Sequence, residues 1–176
     1  VEAVKKAKRL DDVIVATDDA RIVAAVEACG GKAVMTPSEL PSGTDRIACA
    51  ARIAQGGDFA DDDILVNIQG DEPLIKPELI DALAAKLAPI PCNRDHEPDL
   101  ASDLLVRHLG IYAYRGSFLK RYVAEKPCAL EQTEKLEQLR ALWMGAKIAV
   151  VRTEDEGVGV DTPEDAVRIE KILKGC

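Results

Sequence analysis

The residues in this chain best suited to chemistry are two aspartates, each of which closes an apolar strand. Asp71 lies in Ile64-Leu65-Val66-Asn67-Ile68-Gln69-Gly70-Asp71-Glu72-Pro73, a short β-branched run that passes into a glycine, two carboxylates and a proline. Such a run reads as a strand buried on both faces. Asp161 follows Gly157-Val158-Gly159-Val160, which reads as a bent strand, and stands just before Thr162-Pro163 at the start of a helix. In an open parallel sheet, ligands bind beyond the carboxyl ends of the strands. Two strand-end carboxylates can share a hard cation such as Mg²⁺, with substrate phosphates completing the coordination and no histidine or thiol required. Each position also has a plain structural account. Asp71 and Glu72 make an acidic turn, and Asp161 helps to cap the helix that follows.

The elements that must carry these residues alternate through the first half of the chain. Residues 1–10 read as the end of an amphipathic helix and 13–16 as a buried strand, with Thr17-Asp18-Asp19 able to cap a helix over 21–29. Gly30-Gly31 closes that helix. A strand over 32–35, a Pro- and Ser-rich loop over 36–43 and a helix over 44–55 lead to the strand ending at Ile68. A helix over 77–87 follows, with Pro77 near its first turn. This alternation predicts an α/β chain with a three-layer, mostly parallel sheet and right-handed crossovers.

After Leu87 the pattern breaks. Residues 88–103 contain Pro89, Pro91 and Pro98 without an apolar period and read as loop. Strand character returns over 104–114, and 118–124 and 130–143 read as helices, the second carrying Leu136, Leu139 and Trp143 on one stripe. A strand over 147–152 and a helix over 163–173 complete the chain, with Thr162 and Asp165 placed as an N-terminal cap.

Composition narrows the function. The chain has 176 residues, 47% of them hydrophobic, which is one domain with a real core. A net charge of −8 argues against binding nucleic acid and for a soluble cytoplasmic protein, so a nucleotide would be held through a cation or a local Arg and Lys cluster. Five scattered cysteines with no Cys-x-x-Cys pair read as reduced thiols. No apolar run is long enough to span a membrane, and no signal peptide is present.

Six segments, in order, carry a family resemblance: Ile14-Val15-Ala16-Thr17-Asp18, Pro41-Ser42-Gly43-Thr44-Asp45-Arg46, Val66 to Pro73, Arg107-His108-Leu109-Gly110-Ile111-Tyr112-Ala113-Tyr114-Arg115, Leu136-Glu137-Gln138-Leu139-Arg140 and Gly159-Val160-Asp161-Thr162-Pro163-Glu164-Asp165. Together they resemble the 3-deoxy-manno-octulosonate (Kdo) cytidylyltransferases, over nearly the whole chain apart from the loop after Leu87. The resemblance implies a Rossmann-like nucleotidyltransferase fold of the nucleotide-diphospho-sugar transferase type, a cytoplasmic enzyme and a homodimer. It implies Mg²⁺-dependent transfer of CMP from CTP to Kdo with release of pyrophosphate, for lipopolysaccharide synthesis. Asp71 and Asp161 match the family's metal-binding, catalytic aspartates. Gln69, Arg94, His108, Tyr112, Glu137 and Gln138 match positions lining its Kdo pocket, where a guanidinium such as that of Arg94 can clamp a carboxylate with two bonds. Ser42, Gly43 and Arg46 resemble its segment near the cytosine.

Two departures from the family pattern stand out. The family opens with a strand and an Arg-x-x-Ser-x-Arg-Leu-Pro-Gly-Lys loop that holds the triphosphate, and this chain starts after it. The family also has further strands after the helix ending near Leu87, where this chain passes straight to Pro89. Taking a central strand out of a sheet strands backbone donors. The expectation is therefore a single nucleotidyltransferase domain over 1–176 that lacks segments at its start and near 87–89, and is inactive at this length. A cytidylyltransferase for another sugar acid, a sugar-1-phosphate enzyme, a catalytically dead binding module and a generic α/β domain are the alternatives.

Overall fold

β1 (Ile14–Thr17) and β2 (Lys32–Met35) run parallel, from Ile14 opposite Lys32 to Thr17 opposite Met35. The crossover between them is α1 (Ala20–Ala28), capped by Asp19, whose carboxylate accepts the Arg21 N–H at 2.8 Å. Gly30 turns the chain out of α1 at φ 68°, a conformation open to glycine. The computed structural model describes residues 1–87, 109–153 and 159–174. Arg94, His108 and the junction near 87–89 lie outside the described residues.

α2 (Gly43–Gln55) begins at Ser42, whose hydroxyl oxygen accepts the Asp45 N–H at 3.2 Å, and ends at Gly56 with φ 67°. β3 (Ile64–Ile68) follows, then α3 (Pro77–Leu87). β4 (Ile111–Arg115) pairs with β3 and leads directly into α4 (Gly116–Ala124). Side chains alternate across β3 as its pleat requires. Val66 and Ile68 pack with Ile75, Leu79 and Ile80 on the α3 side. Leu65 packs on the opposite face with Ala48, Phe59, Leu119 and Tyr122, from α2, α4 and the loop between. Helices thus cover both faces of this strand pair, the three-layer arrangement expected. Fully buried Ile80 and Leu119 each stabilise it by roughly 1.5–3 kcal/mol.

Several expectations change in detail. β3 and β4 are antiparallel, with Asn67 opposite Tyr112 and Ile68 opposite Ile111, so the described pairings are one parallel and one antiparallel. An apolar run announces a strand but not its direction. Within the strand expected over 104–114, the described part starts only at Ile111. The helix expected over 130–143 is two, α5 (Ala129–Glu134) and α6 (Gln138–Trp143), because Lys135 turns left-handed at φ 57°. Residues 147–152 and 159–160 lie outside any strand, and the first ten residues hold a 3-10 turn, Val4–Lys6, rather than the end of an amphipathic helix. α7 (Pro163–Lys174) closes the chain, with the Thr162 hydroxyl accepting the Asp165 N–H at 3.2 Å as its cap.

A buried ion cluster fixes α5 and α6 against α2. Arg140, 1% exposed, donates to Glu131 at 2.9 and 2.7 Å and to Asp45 at 3.2 Å, and its guanidinium lies 4.3 Å over the Tyr122 ring. Burial works against the charge, but Glu131 and Asp45 hold Arg140 ionised, with its pKa above the ordinary value.

Candidate active site

The turn after β3 meets the segment that leads into α7. Val160 donates its N–H to the Asp71 carbonyl at 2.9 Å, so the residue before Asp161 is tied to the backbone of Asp71. Both aspartates line one cleft of about 280 Å³, and Gln69, Tyr112, Glu137 and Gln138 line it with them. Six of the residues singled out in the sequence, drawn from four separate segments, therefore converge.

Each is held by its element. Gln69 extends the β3 pairing by one bond, donating its N–H to the Gly110 carbonyl at 3.0 Å. Gly110 leaves room for Gln69, since a Cβ there would lie 2.5 Å from Gln69 Oε1. Its own N–H donates to Glu72 Oε1 at 3.3 Å, which braces the turn carrying Asp71. Glu137 reaches the start of α2, where its Oε2 accepts the Thr44 N–H at 3.0 Å, a favourable place for a carboxylate because the helix dipole is positive there. The Tyr122 hydroxyl donates to the Glu137 carbonyl at 2.8 Å.

Tyr112 stands opposite Asn67 in the strand pair. Burial, with the Glu137 and Asp71 carboxylates adding to it, pushes its phenol up to about 12. At neutral pH Tyr112 is therefore a neutral hydroxyl that can donate a hydrogen bond, not a base.

The charge balance of the cleft is lopsided. Among the described residues, Asp71, Glu72, Glu137 and Asp161 face a single lining cation, Lys135. Among the described residues no group of three or more His, Cys, Asp or Glu side chains could by itself hold a metal ion. The residues that could meet a cation here are the carboxylates after β3 and before α7; with substrate and water completing the coordination, such a donor set would suit Mg²⁺ rather than a structural zinc.

Ser42, Gly43 and Arg46 do not line this cleft. The Ser42 hydroxyl donates to Asp45 at 2.6 Å. Arg46 spans the carboxyl ends of β1 and β2, donating to Thr36 Oγ1 at 2.6 Å, to the Pro37 carbonyl at 3.3 Å and to Asp18 at 3.1 Å. Gly43 borders Glu137 from behind, with a Cβ position 3.9 Å from Oε1. Lys135, Gly110 and Gly159 are lining residues to which the sequence reading gave no role. A glycine on a loop leaves little signal, and a lysine five residues into a predicted helix reads as solvated surface.

Comparison with known proteins decides the family. A cytidylyltransferase family model matches residues 1–89 and 85–148. The 3-deoxy-manno-octulosonate cytidylyltransferase of Bdellovibrio bacteriovorus is 43% identical over 215 aligned residues, covering 98% of this chain and 85% of that protein. This chain belongs to the 3-deoxy-manno-octulosonate cytidylyltransferase family. The protein of the same description from Thermodesulfovibrio yellowstonii is 38% identical over 217 residues, again covering 98% of this chain and 85% of the relative. The solved structure of a CMP:2-keto-3-deoxy-manno-octonic acid synthetase complexed with CTP matches with a TM-score of 0.77 at 29% identity, over 99% of this chain and 85% of that one. The α/β nucleotidyltransferase fold expected from the sequence is thus the fold of this chain, and the chain is a nucleotidyltransferase by family.

Proposed function

We propose that this cytidylyltransferase activates Kdo with CTP, giving CMP-Kdo and pyrophosphate for lipopolysaccharide synthesis, with the cleft between β3 and α7 as its active site. The observation that carries this reading is the convergence of Asp71 and Asp161 with Gln69, Tyr112, Glu137 and Gln138. The chemistry needs the anomeric hydroxyl of an anionic sugar placed in line with the α-phosphorus of an anionic nucleotide. Holding the two in that geometry removes much of the barrier. Gln69, Gln138 and the neutral Tyr112 hydroxyl supply hydrogen bonds to sugar oxygens, and Glu137 accepts from sugar hydroxyls. Arg94 and His108 complete the sugar-acid pocket in this reading, Arg94 as the partner of the carboxylate.

Asp71 and Asp161 are the residues that would hold Mg²⁺. Bound there, the ion would offset the repulsion between triphosphate and carboxylates and lower the pKa of the attacking hydroxyl. Among the described residues, the excess of cleft carboxylates over cations supports a need for it. The family resemblance assigns Ser42, Gly43 and Arg46 to the nucleotide side, and the start of α2 reaches the cleft wall through the Thr44 bond to Glu137.

The reading extends to a cytoplasmic homodimer. Free thiols at Cys29, Cys49 and Cys128 support a reducing compartment, and no helix among the described residues is long and apolar enough to cross a membrane. The exposed Trp143 and Val150, 74% and 70% exposed, support burial against a second copy. The chain also lacks an internal segment near 85–89 that its relatives possess. The family model matching in two runs that overlap there, and an alignment of 215 residues against a chain of 176, support this.

CTP-dependent pyrophosphate release by the full-length protein tests the activity. Release is expected with Kdo and not with N-acetylneuraminate or a sugar 1-phosphate. Release with none of the three overturns the reading.

A further inference from the structure

Asn67 is the one polar side chain within β3, and it is 4% exposed. Its Nδ2 is buried with no hydrogen-bond partner among the described residues, and Glu137 Oε1 is buried and unpartnered as well. The two atoms border one small space beside Gly43. A Cβ built on Gly43 would lie 3.6 Å from Asn67 Nδ2 and 3.9 and 4.0 Å from the Glu137 oxygens, with nothing closer. A methyl group there would make only van der Waals contacts, with a donor on one side and an acceptor on the other. Leaving either buried group unpaired is unfavourable, and native structures rarely do so without reason.

We propose that this niche takes one hydroxyl group of a bound substrate, which accepts a hydrogen bond from Asn67 Nδ2 and donates one to Glu137 Oε1. A hydroxyl can play both parts at once, whereas a ligand carboxylate or phosphate would meet the charge of Glu137. The niche adjoins the cleft through Glu137, which lines it, and through Tyr112, the lining residue directly opposite Asn67 in the strand pair. Entry requires the half-buried Glu137 side chain to shift at the cleft wall. Asn67 thereby becomes a substrate-binding residue, and the absence of a side chain at Gly43 becomes a condition for binding. The inference rests on the cytidylyl-transfer reading. The hydroxyl belongs either to the ribose of CTP or to the sugar acid.

The test uses the full-length protein and measures affinities for CTP and for Kdo separately, with thermal midpoints, for wild type, Gly43→Ala and Asn67→Ala. Gly43→Ala fills the niche without a close contact, at a helical position where alanine is favoured. Both variants should lose about tenfold in affinity for one of the two ligands, the loss expected when one hydrogen bond in a buried site is removed. A loss confined to Kdo assigns the hydroxyl to the sugar acid. A loss confined to CTP assigns it to the ribose, and one monodeoxy form of CTP should then bind Gly43→Ala as well as CTP does. Unchanged affinities for both ligands mean that the niche holds at most a structural water and overturn the proposal, as does an equal loss for both ligands with a lowered midpoint. A wild-type protein that binds neither ligand overturns the cytidylyl-transfer reading and this inference with it.

Discussion

Val160 donates its backbone N–H to the carbonyl of Asp71 at 2.9 Å, and that bond joins two parts of the chain that share no strand pairing. It sets the aspartate that follows Val160 at the same cleft as Asp71. The site therefore depends on how the turn after β3 is held, and that turn leans on Gly110.

Gly110→Ala should injure the site more than the fold. The new Cβ would stand 2.5 Å from Gln69 Oε1, the mobile end of a side chain, so Gln69 moves and the backbone does not. Stability should fall by less than about 1 kcal/mol. Affinity for the sugar acid should fall about tenfold, the value of one lost hydrogen bond to a charged or polar ligand. Urea unfolding and a Kdo titration on the same preparation check the two halves.

Arg140→Met should do the opposite. It leaves Glu131 and Asp45, 8% and 7% exposed, without their shared cation. Removing one partner from such a cluster costs about 3–5 kcal/mol. Glu131→Gln keeps hydrogen bonding to Arg140 and should cost less. Denaturant midpoints of the two variants give the order directly.

The three tyrosines predict the alkaline limit of stability. Burial is the leading cause that raises the phenols of Tyr112, Tyr114 and Tyr122, Tyr112 to about 12. The native state thus keeps protons that the unfolded chain gives up near pH 10. Stability from this source is complete below pH 10 and falls as pH rises from 10 towards 12, because the unfolded state then binds fewer protons. A spectrophotometric titration should show little tyrosinate absorbance in the native protein at pH 10, and a half-ionised signal in denaturant at the same pH. Equal absorbance in the two states would contradict it.

Much of the site was legible because it sits where strands end. The run from Ile64 to Ile68 announces β3, and the glycine, carboxylates and proline after it mark a turn at the ligand edge. Asp161 was read as closing a second strand, whereas it stands in the strandless lead into α7, and only the Val160 bond to Asp71 shows how it reaches the cleft. The direction of β4 was not, since Ile111 to Arg115 reads equally well as a parallel or an antiparallel strand. Nor was the break at Lys135, where a left-handed residue interrupts an otherwise continuous helical stripe. The bonds of the Arg46 guanidinium to Asp18, Thr36 and Pro37 were not legible, because they join the ends of β1 and β2 to α2. Asn67 was visible as a polar residue in an apolar strand, but only three-dimensional packing brings it beside Gly43 and Glu137.

Whether Asp71 and Asp161 act together on one bound cation is read by single-turnover CMP transfer. Asp71→Asn and Asp161→Asn keep shape and remove charge, so circular dichroism should show both variants folded. Measured across a range of Mg²⁺ concentrations with CTP and Kdo saturating, the transfer rate of each should fall by on the order of a hundredfold or more. The loss should be greatest at low Mg²⁺ and partly recovered as the concentration rises. Transfer by both variants at near wild-type rates at low Mg²⁺ would contradict the account.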